Sequence, residues 1–256
     1  MTPTEAHAVL LAARHDRRTL EPFTNTDPTL TEQWGYDIQA LDRAQRIEAG
    51  EHVVGAKLGL TSAAKQQRMN VGQPIVGFLT DAMLSTADSL ADDLTEWAQP
   101  RIEPEIAFLT SRPITAALTL DEVAHSIEGA TVAAEIIDSR YSGFRFRLSD
   151  VVADNTSAAG FVIGTFRPLA ELGDLTVNPC ALTVDDSLVH SATGAAILGN
   201  PLTAIVWLSE HLSRHGQSLP TGSVVLAGAL TDAVPLVTGS HYSIDMGALG
   251  SLSIRT

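Results

Sequence analysis

The sequence predicts an α+β protein in which a small helical N-terminal region precedes a β-rich body. Two observations support this class. The first fifty residues carry helical signals, and from residue 51 short strand-like runs are mixed irregularly with a few helices. The regular strand–helix alternation of a doubly wound parallel sheet is absent. We therefore expect residues 1–50 to form the helical region and residues 51–256 the body, within one structural unit.

Composition excludes several classes of protein. The 256 residues are 45% hydrophobic, which is too apolar for intrinsic disorder. The single cysteine, Cys180, excludes an intramolecular disulfide and fits a reducing compartment. The net charge of −14 repels phosphate backbones, so no nucleic-acid partner is expected.

The chain shows no targeting segment, and its longest apolar stretches are far shorter than a membrane span. Those stretches cover residues 202–208 and 224–230, whereas a span needs roughly 20 residues. We therefore expect a soluble cytoplasmic protein with no membrane partner.

Two helices are predicted in the N-terminal region. Thr2-Pro3-Thr4-Glu5 forms a capping box with proline at the first helical position. The second helix has apolar residues at helical spacing and ends at Gly50, where a C-terminal glycine belongs. Those apolar residues are Trp34, Ile38, Leu41, Ala44 and Ile47.

The body contains alternating strand and helix signals. Strands are predicted at 53–60, 101–110, 131–138, in 151–164 after a polar turn, and as antiparallel sheet through the last forty residues. Helices are predicted around 63–69, from the capping box at 119–122 to about residue 128, and from Asn200-Pro201 to Gly216.

Paired carboxylates mark the strand at 101–110. Glu103 and Glu105 point to the same face, because side chains alternate along a strand. Such neighbours repel each other unless a positive group lies between them, and a hard divalent cation is suitable. A solvated face without function explains the spacing equally well.

Glu135 stands inside the apolar run 132–137, where a carboxylate is expected to be buried and to need a partner. That partner is either an arginine such as Arg140, in a structural ion pair, or a metal ion shared with Glu103 and Glu105. Three carboxylates suit Mg²⁺ or Mn²⁺. Zinc is disfavoured, because we expect no histidine pair with H-x-x-x-H spacing on a helix, and each histidine is expected at the surface or in the core.

Lys57 lies in a glycine-rich, apolar strand, where it either extends its ammonium to solvent or points into a pocket. Polar clusters follow two apolar strands, at 138–141 and 153–157, and are typical both of turns and of substrate-orienting groups. The motifs of nucleophile elbows and phosphate-binding loops are absent.

Seven stretches, taken in order, carry a family resemblance. They are G-A-K-L-G-L-T-S at 55–62, P-I-V-G-F-L-T-D at 74–81, E-P-E-I-A at 103–107, E-I-I-D-S-R-Y at 135–141, V-A-D-N-T-S at 152–157, L-G-N-P-L at 198–202 and A-L-T-D-A-V-P at 229–235. As a set they resemble the 2-oxopent-4-enoate hydratase and 4-oxalocrotonate decarboxylase family of meta-cleavage aromatic degradation, within the fumarylacetoacetate hydrolase superfamily.

The resemblance implies a mixed β-roll catalytic body of the fumarylacetoacetate hydrolase type. It implies a small 2-oxo dicarboxylate substrate that chelates Mg²⁺, with Mn²⁺ as the substitute, and a homo-oligomer that associates with the partner hydratase. It also places the candidate residues: Glu103, Glu105 and Glu135 as metal ligands, Lys57, Asp81 and Ser139 as catalytic residues, and Arg140, Asn155 and Thr231 as substrate-binding residues.

The family divides by reaction, and residue 75 separates the branches. Hydratases of the family carry aspartate after the proline of this motif, whereas decarboxylases carry an aliphatic residue, as this chain does in Gln73-Pro74-Ile75. The resemblance therefore implies decarboxylation of 2-oxo-3-hexenedioate. The alternatives are hydration of 2-hydroxypenta-2,4-dienoate and a non-catalytic assembly subunit.

Overall fold

The structure is a computed structural model that describes residues 1–62, 66–67 and 71–256. The helical stretch expected at 63–69 falls outside the described residues, apart from residues 66 and 67. No described helix is long and apolar enough to cross a membrane.

Two helices form the N-terminal region as predicted. Helix α1 spans Pro3–His15, and its capping box is present, with Thr2 N donating to Glu5 Oε2 at 2.9 Å. Helix α2 spans Glu32–Glu48 and begins after Thr31, whose hydroxyl accepts from Trp34 N at 3.2 Å. Gly50 follows the end of α2 in a left-handed conformation, with φ of +99°.

The body contains twelve strands within the described residues. They are β1 Val53–Gly59, β2 Ile75–Thr80, β3 Arg101–Thr110, β4 Ile127–Ile137, β5 Ala158–Ile163, β6 Arg167–Pro168, β7 Pro179–Val184, β8 Ser187–Thr193, β9 Val224–Ala229, β10 Val234–Pro235, β11 His241–Asp245 and β12 Ser251–Arg255. Among the residues described from β2 onward, four α-helices interrupt the strands: α3 Leu90–Asp93, α4 Leu120–Ala124, α5 Leu148–Ala153 and α6 Pro201–Arg214.

The strands form two sheets. The larger has eight strands in the order β2-β1-β9-β3-β4-β5, with β10 on β3 and β6 on β4. Most pairs are antiparallel, and β1 runs parallel to β9. The smaller sheet has the order β12-β11-β7-β8. The α+β class and the β-rich body are thus confirmed.

Alternation along β3 and β4 separates the two faces of the larger sheet. One face carries Ile106 and Val132 into the main core, together with residues of α6 and of the smaller sheet. The other face carries Ala107 and Ala133 into a smaller apolar cluster with residues of β2, β5 and β9. Glu103, Glu105 and Glu135 lie on this second face.

One predicted boundary was wrong. The helix expected to run to about residue 128 ends at Ala124, and Ile127 already pairs with Thr110 of β3. The backbone leaves the helix there because burial of Ile127 and the β3–β4 ladder outweigh one more helical turn.

Candidate functional site

Three carboxylates meet on the second face of the larger sheet, the face that carries Ala107 and Ala133. Glu103 lies directly opposite Glu135, and Glu105 is the next residue of β3 on the same face. One oxygen of each of the three lies within 4.8 Å of the others. Glu105 and Glu135 are fully buried and Glu103 is half-buried, so the solvated-face interpretation of this pair is excluded.

Lys57 of β1 points into this cluster. Its Nζ lies 2.9 Å from Glu135 Oε1 and donates to the carbonyl oxygen of Thr156 at 3.2 Å. Only 3% of Lys57 is exposed, so its ammonium does not reach solvent. Burial lowers the pKa of Lys57, but the charges of the three carboxylates outweigh burial and raise it, which keeps the ammonium protonated.

The carboxylates carry more negative charge than their partners compensate. When all three carboxylates are ionised, they exceed the single ammonium by two negative charges. Burial, reinforced by Glu135, raises the pKa of Glu105 well above its ordinary value; burial also raises the pKa of Glu135, opposed by Lys57. Glu105 Oε1 and Glu135 Oε2 are buried without a hydrogen-bond partner in the described part of the chain. Orphaned oxygens and residual charge together fit a hard divalent cation.

Two glycines allow the backbone to approach the cluster. Gly228 of β9 donates its N–H to Glu105 Oε2 at 2.8 Å, and its φ of +105° disfavours other residues. A Cβ at Gly77 of β2 would lie 2.5 Å from Thr156 Oγ1. The absence of a side chain at Gly77 therefore lets the turn at 155–157 lie against β2.

The turn at 155–157 stores backbone strain beside Lys57. Asn155, Thr156 and Ser157 have φ values of 47°, 53° and 62°, three consecutive left-handed residues that are not glycine. Asn155 fixes the turn, because its Oδ1 accepts from Phe78 N at 2.9 Å and its Nδ2 donates to Phe78 O at 3.0 Å. Strain of this kind costs roughly 1–3 kcal/mol per residue and is concentrated at functional sites.

Two residues of this turn were missed as site residues. The hydroxyls of Thr156 and Ser157 are buried and have no hydrogen-bond partner among the described residues. The polar stretch 153–157 was a visible signal in the sequence. The left-handed backbone that leaves these hydroxyls unpartnered was not visible.

Thr231 lies close to the cluster by register. Ala229 pairs with Glu105, and Leu230 N donates to Pro104 O at 3.0 Å just beyond β9. This antiparallel path continues toward Glu103, the most accessible of the three carboxylates. Thr231 itself is half-buried.

The contacts of Asp81, Ser139 and Arg140 lie elsewhere. Asp81 follows β2 at the end remote from Gly77 and bonds His52 Nδ1 at 2.9 Å. Ser139 Oγ accepts from Tyr141 N at 3.1 Å. The Arg140 guanidinium pairs with Asp138, so Arg140 is not the ion-pair partner of Glu135 that the sequence left open.

Ile75 shares a face with Lys57. The register pairs Gly77 with Lys57 and Ile75 with Gly59. Because every second residue of a strand faces the same side, the side chains of Lys57 and Ile75 are diagonal neighbours on one face of the β1–β2 pair. Ile75 is 2% exposed and packs against Val151 of α5. The wall beside Lys57 is therefore apolar at this position.

The expectation that no histidine pair has H-x-x-x-H spacing on a helix was wrong, because His211 lies on α6 and His215 directly follows its last residue. His211 and His215 lie with ring centroids 4.3 Å apart, and Trp207 stacks on His211. Within the described residues, the three-glutamate cluster is the one group of three or more such side chains placed to hold a metal. The histidine pair therefore lacks a third ligand.

Comparison with known proteins decides the family. Residues 52–255 match the model described as fumarylacetoacetate (FAA) hydrolase C-terminal, which covers most of the chain. The chain belongs to the fumarylacetoacetate hydrolase family. The β-roll body of this type, expected from the sequence motifs, is thereby confirmed.

Members of this family that resemble the chain include two kinds of lyase. A 4-oxalocrotonate decarboxylase from Pseudomonas sp is 39% identical over 236 residues, covering 92% of this chain and 91% of the relative. A 2-keto-4-pentenoate hydratase from Paraburkholderia phymatum is 37% identical over 248 residues, covering 96% and 94%. The sequence-based resemblance to this decarboxylase and hydratase family is confirmed.

A solved structure matches the whole fold. The 4-oxalocrotonate decarboxylase from Pseudomonas putida G7, complexed with magnesium and adipate, superposes with a TM-score of 0.91 at 31% identity. The match covers 99% of this chain and 96% of that structure.

Proposed function

We propose that this protein decarboxylates 2-oxo-3-hexenedioate to 2-oxopent-4-enoate and CO₂ with Mg²⁺ as its cofactor. The observation that carries the proposal is the buried cluster of Glu103, Glu105 and Glu135 with Lys57 beside it. The match to decarboxylases over nearly the whole chain supports the choice of substrate class.

Glu103, Glu105 and Glu135 would hold the cation, with Mn²⁺ as a substitute. A divalent ion compensates the two negative charges that Lys57 leaves and gives the orphaned oxygens of Glu105 and Glu135 a partner. When bound, it supplies Lewis acidity toward the 2-oxo group and the adjacent carboxylate of the substrate.

The bond changes define what the residues must do. The C5–C6 bond breaks, CO₂ leaves, and the electron pair moves through C4 and C3 to the 2-oxo oxygen. One proton then completes the dienol, which ketonises to 2-oxopent-4-enoate. Lys57 is a proton donor for this step, because its buried ammonium stays protonated among the carboxylates.

The remaining polar groups would bind and orient the substrate. Thr231 lies beside Glu103 by register, and the hydroxyls of Thr156 and Ser157 are buried and unpartnered. Asn155 acts as a positioning residue, because both ends of its amide hold the turn on β2.

The three other predicted residues have weaker support. Asp81 is exposed and bonded to His52, and Ser139 bonds the local backbone. Arg140 is paired with Asp138. We therefore base no step of the reaction on these three residues, and their roles stay predictions.

Ile75 favours decarboxylation over hydration. Both reactions develop charge on the same 2-oxo oxygen, so the carboxylate cluster does not discriminate between them. Addition of water needs an acid–base group on the substrate's far side, typically worth 10²–10⁴-fold in rate. Ile75 offers an apolar wall on the face of Lys57 instead, and CO₂ departure requires no proton transfer at that end.

A comparison of two substrates tests the proposal. The purified chain is incubated with 2-oxo-3-hexenedioate or 2-hydroxypenta-2,4-dienoate, with Mg²⁺ or with chelator, and absorbance is followed. We expect Mg²⁺-dependent loss of the hexenedioate and little change of the dienoate. Faster turnover of the dienoate would assign the chain to the hydratase branch, and turnover of neither would leave it an assembly subunit.

We propose a biological setting that rests on this function. The protein would act in the cytoplasm, in meta-cleavage aromatic degradation, as a homo-oligomer associated with its partner hydratase. The occurrence of both lyases among its relatives supports a linked pair of reactions. Sedimentation of the purified chain, alone and mixed with such a hydratase, tests both associations.

A further inference from the structure

A cavity of about 460 Å³ lies between the N-terminal helices and the segments that follow β4 and α5. None of the three clustered glutamates lines it, and neither does Lys57. Four arginines do: Arg14, Arg17, Arg46 and Arg140. Glu96, Asp138 and Asp154 line the cavity as well, so the four arginines face carboxylates within the lining itself.

Carboxylates hold three of these arginines in place. Arg14 Nη1 pairs with Asp42 at 2.8 Å, and Arg46 Nε pairs with the other oxygen of Asp42 at 3.3 Å. Arg17 Nη2 pairs with Glu96 at 2.8 Å. These ion pairs compensate the charge of the three arginines and hold their side chains in place before any ligand binds, which reduces the entropy that binding would cost.

Arg140 supplies a free donor to the cavity. It is 2% exposed, and its Nη2 is occupied by the backbone oxygen and carboxylate of Asp138. Its Nη1 is buried and has no hydrogen-bond partner in the described part of the chain. A buried guanidinium nitrogen left without an acceptor is costly, and an anionic oxygen would satisfy it.

The opposite part of the lining is apolar. Trp97, Leu11, Ala158 and Ala159 line the same cavity as the arginines. A flat ring and methyl groups suit a carbon chain, whereas an inorganic oxoanion would gain nothing from them.

We propose that this cavity is a second binding site, which takes a small organic carboxylate with its charged end at Arg140 and its carbon chain against Trp97. The carboxylate accepts from Arg140 Nη1, and this unpartnered donor and the apolar lining supply the binding, because the other arginines are already paired with carboxylates. The site is separate from the carboxylate cluster, and its occupation requires neither a metal ion nor turnover.

Calorimetric titration of the full chain with glutarate tests this site. The titration is run with Mg²⁺ and again in chelator, which removes the cation that would hold a carboxylate at the three-glutamate cluster. We expect one glutarate to bind in chelator. Absence of binding there overturns the proposal, and inorganic phosphate binding as tightly as glutarate overturns the assignment to an organic acid.

Two variants locate the binding. Arg140→Lys keeps the charge and removes the second guanidinium nitrogen, so we expect at least tenfold weaker binding in chelator. Ala159→Leu fills the cavity without changing charge and should weaken binding as much. Arg112→Lys, at an exposed arginine outside the cavity lining, is the matched control and should bind as the unchanged chain does. Undiminished binding by Ala159→Leu, in a variant whose melting temperature is unchanged, excludes this cavity.

Discussion

Replacement of Glu135 by glutamine should remove most of the stabilisation that Mg²⁺ gives to the folded chain. Glu135 contributes one of three carboxylates within 4.8 Å of one another, and its Oε2 has no other partner in the described structure. The affinity of oxygen sites for such ions depends on the number of charged ligands, so we expect a loss on the order of a hundredfold.

The magnitude follows from linkage. Mg²⁺ at a hundred times its dissociation constant stabilises the unchanged protein by about 2.7 kcal/mol. At roughly 2.1 cal/mol/K of unfolding entropy per residue, this corresponds to about 5 °C in melting temperature for 256 residues. At the same Mg²⁺ concentration, Glu135→Gln should gain only about 0.4 kcal/mol, which is less than about 1 °C.

The assay is thermal unfolding with Mg²⁺ and with chelator. Glu128→Gln is the matched control, because Glu128 lies on the same strand with its side chain exposed. The control should keep the full Mg²⁺ shift. An equal shift in Glu135→Gln would refute the assignment of this carboxylate to the metal, whatever the two variants do in chelator.

Three further outcomes are expected. Lys57→Met should lower the turnover number at least tenfold and enlarge the Mg²⁺ shift in melting temperature, since three carboxylates then stand uncompensated; full activity would contradict this. Gly77→Ala should destabilise the chain by about 1–3 kcal/mol through its contact with Thr156, whereas Gly72→Ala, in open space, should be neutral in denaturant unfolding. Burial raises the pKa of Asp154 from 3.8 to about 6, so the folded state binds this proton more tightly and stability falls as pH rises from about 4 to 6. Asp154→Asn should lack that fall, of up to about 3 kcal/mol, in unfolding measured across this range.

Much of the site could be predicted from the local pattern of apolar and charged residues in the sequence. Alternation placed Glu103 and Glu105 on one face, and the apolar run around Glu135 predicted its burial. Both conclusions need only the two-residue repeat of a strand and the cost of burying a charge. The same pattern left solvation, an ion pair and a metal open, because it contains no information about partners.

The roles of Asp81, Ser139 and Arg140 came from the family resemblance and stay predictions, because the described contacts of these side chains lie outside the carboxylate cluster. Asp81 follows β2 four residues after Gly77, which pairs with Lys57, and Arg140 pairs with Asp138. The direction of each strand end depends on the register of the sheet, which a single sequence does not specify. The unpartnered hydroxyls of Thr156 and Ser157 likewise depend on a left-handed turn, which these residue types do not predict.

The sequence by itself determined the helix caps, the burial faces of β3 and β4 and, through its ordered motifs, the family. These features depend on residue type and on spacing within a few positions. The tertiary structure alone decided that Glu103 lies opposite Glu135, that Lys57 reaches them from β1, and that four arginines gather around one cavity. Each of these contacts joins residues distant in the chain, and their positions are fixed by sheet register and by the packing of helices on the sheet, which depend on the whole fold.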